Sequence, residues 1–136
     1  MEEWRGSAAI CINDNGEVLM VRAKGSNQWA VPSGGIEEGE TPEICCIREL
    51  KEETGYTVTI KEEILVKKVV KQGISVTTHY FKVDRISNSS GINDPDQLIE
   101  EMAWLSLEDL GGIEHAYPED KKLIEKSLKS QVIDLF

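Results

Sequence analysis

Apolar and polar residues change period along this chain, and each change marks an expected element. "WRGSAAICIN", residues 4–13, is dense in small and β-branched side chains and predicts a strand. Asn15-Gly16 suits a two-residue hairpin turn, with "EVLMVRA", 17–23, as the return strand. "KGSNQ" reads as a polar loop, and "WAV", 29–31, as a short strand stopped by Pro32. "SGGIEEGE", 33–40, is too rich in glycine for a regular element.

Helical spacing follows. Thr41 is placed as an N-cap, Pro42 takes the first helical position, and Glu43 sits where the helix dipole favours an anion. The helix is expected to run to about Thr54, with Gly55 as a left-handed C-terminal cap. Ile44, Ile47 and Leu50 form its expected apolar side, and Glu49, Glu52 and Glu53 face the other way. Two longer strands come next, "YTVTIKEEILVKKVVKQ" and "ISVTTHYFKVD", joined at Gln72-Gly73. Residues 85–97 are turn formers and predict the most mobile loop. "LIEEMAWLSL" predicts a strand, Ser106 caps a helical turn, and Gly111-Gly112 breaks it. Pro118 opens a final helix with Leu123, Ile124, Leu128 and Val132 along one face. Strands, helix, strands, helix in that order imply an α+β or layered α/β/α fold with a mixed sheet, one domain over residues 1–136.

Composition narrows the function classes. The net charge of −10 argues against non-specific DNA or RNA binding, which needs a basic surface. No run approaches the roughly 18 apolar residues of a membrane helix, so no membrane partner is expected. "MEEWRGSAAI" lacks the basic and apolar regions of a signal peptide, so a cytoplasmic location is the expectation. Cys11, Cys45 and Cys46 have neither disulfide-framework nor zinc spacing and read as reduced, buried side chains. His79 reads as structural and His115 as a loop residue. Lys67, Lys68 and Lys71 read as a solvent-facing strand, and the oligomeric state is open between monomer and homodimer.

One stretch resists a purely structural reading. "RELKEETGY", 48–56, gathers Glu49, Glu52 and Glu53 at the C-terminal end of a helix. Like charges at that spacing repel by a few tenths of a kcal/mol per pair, roughly, and the helix terminus is itself partly negative. Read from Gly34, the spacing is G-x5-E-x7-R-E-L-x-E-E-x-G-Y, occupied by Gly34, Glu40, Arg48, Glu49, Leu50, Glu52, Glu53, Gly55 and Tyr56. This resembles the box of the Nudix (MutT-like) hydrolases, with one soft departure at Tyr56, where an aliphatic residue is commoner. The "WAVPSGG" entry, the order of strands and "EEMAWLSLEDL" extend the likeness over most of the chain.

The resemblance implies a Nudix-type α/β/α sandwich and an enzyme that hydrolyses a diphosphate linkage in a nucleoside diphosphate joined to another group. It implies Mg2+ or Mn2+ as cofactor, hard ions that take carboxylate oxygens and would remove the repulsion among the three glutamates. Glu49, Glu52 and Glu53 would hold the ions, one carboxylate would orient the attacking water, and Arg48 would hold the carboxylates through Glu52 or Glu40. Gly34, Gly35, Glu40 and Gly55 are then structural, with a carbonyl near Ser33–Gly34 as a further ligand. Outside the box, Glu101 is the expected further acidic ligand or base, Arg22 and Lys24 would bind phosphates, and Trp29 would stack on a base or fill the core. No proline lies between Pro42 and Pro95, no tyrosine between Tyr56 and Tyr80, and no SQPWPFPxS-type segment occurs, which disfavours ADP-ribose, diadenosine polyphosphate and NADH as substrates. A nucleoside triphosphate or a promiscuous activity is the remaining expectation. Alternatives are a nucleotide-binding regulatory module without turnover, an isoprenoid diphosphate isomerase and an RNA 5′-end pyrophosphohydrolase.

Overall fold

The computed structural model describes residues 2–134, with side chains described to residue 130. Its elements are β1 (Glu2–Cys11), β2 (Val18–Ala23), β3 (Gln28–Ala30), β4 (Ser33–Gly35), α1 (Pro42–Thr54), β5 (Val58–Lys71), β6 (Ile74–Arg85), β7 (Ile99–Leu105), α2 (Leu107–Leu110), β8 (Glu114–His115), a 3-10 turn (Pro118–Asp120) and α3 (Lys121–Asp134). No helix among the described residues is long and apolar enough to cross a membrane.

The strands form two mixed sheets, ordered β4-β1-β6-β5 and β7-β2-β3-β8. The expected hairpin between residues 4–13 and 17–23 therefore does not form. β1 is flanked by β4 and, in parallel, by β6, which leaves it no free edge, and only an Ile12–Val18 bridge links it to β2. The side-chain alternation of β1 builds two cores. Ala8 and Ile10 join Val18, Met20, Tyr80, Leu110, Ile124 and Leu128 on one side. Ala9 and Cys11 join Leu19, Cys46, Leu50, Phe81 and Val83 on the other. Helices thus cover both faces, α1 on one and α2 with α3 on the other, giving the expected α/β/α sandwich. Val132, expected on the face of α3 with Leu123, Ile124 and Leu128, lies outside the described side chains.

Four local expectations change. Ser33–Gly35, expected to be irregular, is an edge strand paired with β1 through Gly6↔Gly35, Ser7↔Gly34 and Ala8↔Ser33. Glu114–His115, expected to be loop, pairs in parallel with β3, and His115 Nε2 lies 3.0 Å from the Leu110 carbonyl. Pro118 starts a 3-10 turn ahead of α3 instead of α3 itself. Lys67 does not face solvent: it is mostly buried and pairs with Asp120 (3.0 Å) and Glu119 (3.3 Å).

The helix caps form as expected. Thr41 accepts the Ile44 N–H, and Gly55 is left-handed at φ 79°. Its phase differs, however. Ile44 is exposed, and the buried face is Cys45, Cys46, Leu50, Glu53 and Thr54. The two small thiols let α1 approach the sheet, Cys46 Sγ lying 3.8 Å from the Ala8 carbonyl. Burial pushes the Cys11 and Cys46 thiols up to about 11 and about 12, so both stay protonated packing groups.

Candidate active site

The helix phase carries Glu53 inward. It is 7% exposed, and its Oε1 accepts the Ser33 N–H (3.2 Å) from β4. The expectation that all three glutamates face away from the core is therefore corrected: Glu53 is inside, while Glu49 and Glu52 are only part-exposed. Glu49 lies one turn earlier, within hydrogen-bonding reach of Glu53. Its carboxyl occupies the space over Gly34 that a Cβ would need, so a side chain at that position of the box would displace Glu49.

Arg48 organises the outer half. Its Nε and Nη2 grip the two oxygens of Glu40 (2.7 and 2.9 Å), Nη1 donates to Glu49 (2.7 Å) and Glu52 (3.4 Å), and Nη2 also reaches the Gly35 carbonyl (3.0 Å). Both alternatives foreseen for Arg48, Glu52 and Glu40, are realised together. The fork holds Glu40 below the usual carboxylate range despite some desolvation.

The inner half has only the Arg48 contact to Glu49 as counter-charge, and no cation pairs with Glu53 among the described residues. Burial, reinforced by the neighbouring Glu49, pushes the Glu53 carboxyl up to about 9. Burial also raises Glu49, against the pull of Arg48. Two desolvated carboxylates this close cannot both ionise without a counter-charge, and their oxygen-only donor set fits a hard divalent cation. No three acidic, histidine or cysteine side chains among the described residues converge on one point. The pair would therefore be the core of any such site.

The segment before β7 closes the end of α1. Asn93 N–H binds the Glu52 carbonyl (2.8 Å), Ser90 N–H the Gly55 carbonyl (3.0 Å), and the Ser89 hydroxyl the Thr54 carbonyl (2.6 Å). Residues expected to form the most mobile loop thus satisfy carbonyls that a helix C-terminus leaves unpaired. A Cβ on Gly55 would also collide with Gly91 and Ser89. Asp94, in the same segment, adds its charge near Glu53.

The expected residues outside the box lie on β2, β3 and β7 and in the turn after β2. Glu101 is the cross-strand partner of Arg22, which it binds at 3.0 and 3.1 Å, with Glu100 at 3.1 Å and the Ser26 carbonyl at 2.8 Å completing the shell. Arg22 is thereby engaged, and Lys24 is exposed in the turn after β2. Trp29 packs against the core beside α2 and α3. Tyr56, the soft departure in the box, accepts the Trp104 Nε1–H (3.1 Å), and Arg85 lies over both rings. The Ser33 N–H contributes without a signal in the sequence, since a backbone donor leaves no mark in side-chain spacing.

The family model for the NUDIX domain matches residues 3–127. An RNA pyrophosphohydrolase of Acinetobacter baylyi is 54% identical over 55 residues, 40% of this chain and 33% of that protein. An 8-oxo-(d)GTP phosphatase of Mycolicibacterium smegmatis is 25% identical over 117 residues, 85% of this chain and 35% of that protein. The chain thus spans about a third of the length of these curated relatives. Among solved structures, a NUDIX hydrolase from Nitrosomonas europaea superposes with a TM-score of 0.82 at 21% identity, over 96% of this chain and 91% of that one. A UDP-X diphosphatase does so at 0.77 and 18%, over 96% and 64%. At these identities the structures speak for the fold alone. With the box residues assembled around Gly34 and the family model spanning nearly the whole sequence, the chain belongs to the Nudix family.

Proposed function

We propose that this chain is a pyrophosphohydrolase that cleaves a diphosphate linkage in a nucleoside diphosphate joined to another group, with a nucleoside triphosphate as the simplest such substrate. The observation that carries the reading is the desolvated Glu49–Glu53 pair, with the Glu49 carboxyl seated over Gly34 and Arg48 against Glu49 as its one counter-charge. A Mg2+ or Mn2+ ion held there would supply Lewis-acid neutralisation of the diphosphate and a more acidic water. Glu49 and Glu53 would hold the cation, and Glu52 would complete the acidic rim. Arg48 fixes Glu49 and Glu52 in place while Glu40 fixes Arg48. The Ser33 N–H sets the orientation of the Glu53 carboxyl. Glu52 or Glu53 would orient or deprotonate the attacking water. The three free, buried cysteines suit a reducing compartment such as the cytoplasm.

The test is a panel of nucleoside triphosphates, nucleotide sugars, dinucleotides and RNA bearing a 5′-triphosphate, each with Mg2+ and with Mn2+, and product identification. Cation-dependent release of pyrophosphate or phosphate that is lost in Glu53→Gln supports the reading; undiminished turnover in Glu53→Gln rejects it.

The 55-residue likeness to an RNA pyrophosphohydrolase supports a second reading, hydrolysis at RNA 5′ ends. The same pair would act on the same linkage, but a net charge of −10 gives little hold on an RNA backbone. Preference for triphosphorylated RNA over nucleoside triphosphates in the panel would select it.

A further inference from the structure

β5 ends the first sheet and leaves one side open. Its 14 residues pair with β6 alone, and among the described residues no backbone group of Val58–Lys71 bonds outside that sheet. Such an edge is a template for another strand, and here it also carries Leu65, Val66 and Val70 at 41%, 37% and 63% exposure. Two bulges, between Ile60 and Glu62 and between Glu63 and Leu65, each fit an extra residue into β5. They set the spacing of its side chains. Ile60, Glu63, Val66, Lys68 and Val70 stand opposite Val83, Phe81, His79, Thr77 and Ser75, every second residue of β6. All five therefore share the face on which Phe81 and Val83 meet α1.

Along that face the order is apolar, acidic, apolar, basic, apolar, centred on Val66. The order is self-complementary. A two-fold axis normal to the sheet at Val66 lays β5 antiparallel on β5 of a second copy. Val66 then meets its own counterpart, Lys68 meets Glu63, and Val70 meets Ile60, the last two pairs each occurring twice. On the other face the same register sets Leu65 opposite Lys67, Glu62 opposite Val69 and Thr59 opposite Lys71, so no like charges face each other. Moving the centre one step along the α1 face would set Lys68 against Lys68 or Glu63 against Glu63, which is unfavourable. A centre at Leu65 would need Lys67 for Glu62, but Asp120 and Glu119 of its own chain already engage Lys67. Lys68 and Glu63 are both exposed and available. Lys68 has no ion pair among the described residues, and Glu63 meets only His79 Nδ1, at 3.5 Å.

We propose that the open edge of β5 is the interface of a symmetric dimer, in which a second copy of this chain continues the first sheet into one of twice the width, with Val66 on the axis and a Glu63–Lys68 pair on either side of it.

Sedimentation velocity over a concentration series reads the association, independently of any hydrolysis. The parent is expected to be mostly dimeric at about 100 μM, with a Kd of micromolar order. Lys68→Glu and Glu63→Lys each set like charges across the axis twice, and each should weaken the dimer by about tenfold or more. Combining the two exchanges the charges and should restore it. Lys24→Glu, an equal change of charge in the turn after β2, should leave it unaltered. Circular dichroism checks that each variant is folded. If Glu63→Lys fails to fold because His79 loses its neighbour, Lys68→Glu and Val70→Lys at the exposed edge decide the question, both being expected to favour the monomer. A parent that stays monomeric at about 100 μM overturns the proposal and leaves the edge to some other occupant. A dimer that none of the β5 changes weakens, or that the folded charge exchange does not restore, overturns it as well and places the contact on another surface.

Discussion

The Glu49 carboxyl sits directly over the α-carbon of Gly34, in the volume that any side chain there would claim. Gly34→Ala must therefore push Glu49 off the pair. Loss of a supporting contact typically costs about 10–100-fold in cation affinity. Titration with Mn2+ should show a weakening of that order. Gly35→Ala, whose Cβ would meet only the Trp4 ring at 3.4 Å or more, should bind nearly as the parent does.

The Glu53 carboxyl, raised to about 9 by burial and by Glu49, makes the cation-free fold pH-dependent. Between its ordinary range and about 9 the folded chain keeps a proton that the unfolded chain has released. Stability is thus fully present in acid and declines as pH rises, by at most about 1.4 kcal/mol per pH unit for one proton. Urea titrations in chelator at several pH values should show that slope in the parent. Glu53→Gln, which keeps the neutral form, should flatten it and be the more stable protein at pH 8.

A divalent cation should reverse the same penalty. At a hundredfold excess over Kd, Mg2+ or Mn2+ is expected to stabilise the fold by about 2.7 kcal/mol, read as a higher thermal midpoint. Glu49→Gln and Glu53→Gln should blunt the rise. An equal rise in all three proteins would place the cation elsewhere.

Arg48 meets Glu40 with two nitrogens and has a third left for Glu49 and Glu52. A lysine cannot reproduce that fork. Arg48→Lys is expected to lose about 1–3 kcal/mol of stability, measured by urea unfolding, and hydrolysis should fall with it as Glu49 loses its anchor.

Tyr56→Phe removes only the acceptor of the Trp104 Nε1–H, 3.1 Å away. A loss of about 0.5–1.5 kcal/mol is expected, with hydrolysis unchanged, because this bond lies in the core behind α1.

The box and its helix were legible because their signals are local: a cap residue, a left-handed glycine and fixed spacing need no knowledge of the rest of the chain. The sorting of strands into two sheets was not, since the second half of β1 and the first four residues of β2 are buried on both faces and show no polar side to orient them. The phase of α1 misled for a related reason. Ile44 outranks Cys45 and Cys46 in hydrophobicity, but only the small thiols fit against β1. Arg22 and Glu101 lie far apart in sequence, and only the β2–β7 register reveals their pairing. Likewise three tryptophans look alike in sequence, and the fold alone assigns Trp29 to the core and Trp4 to an open cleft.

The parallel pairing of β1 with β6 has a kinetic consequence. Glu2 meets Ile74 and Cys11 meets Val83, so the central ladder joins the chain's beginning to its second half. Contacts so distant in sequence close slowly. During synthesis the acidic helix emerges complete while the strand that braces β1 is still being made. Until β6 arrives, β1 presents an apolar edge able to pair with a neighbouring chain, so the nascent protein is most prone to aggregate in that interval.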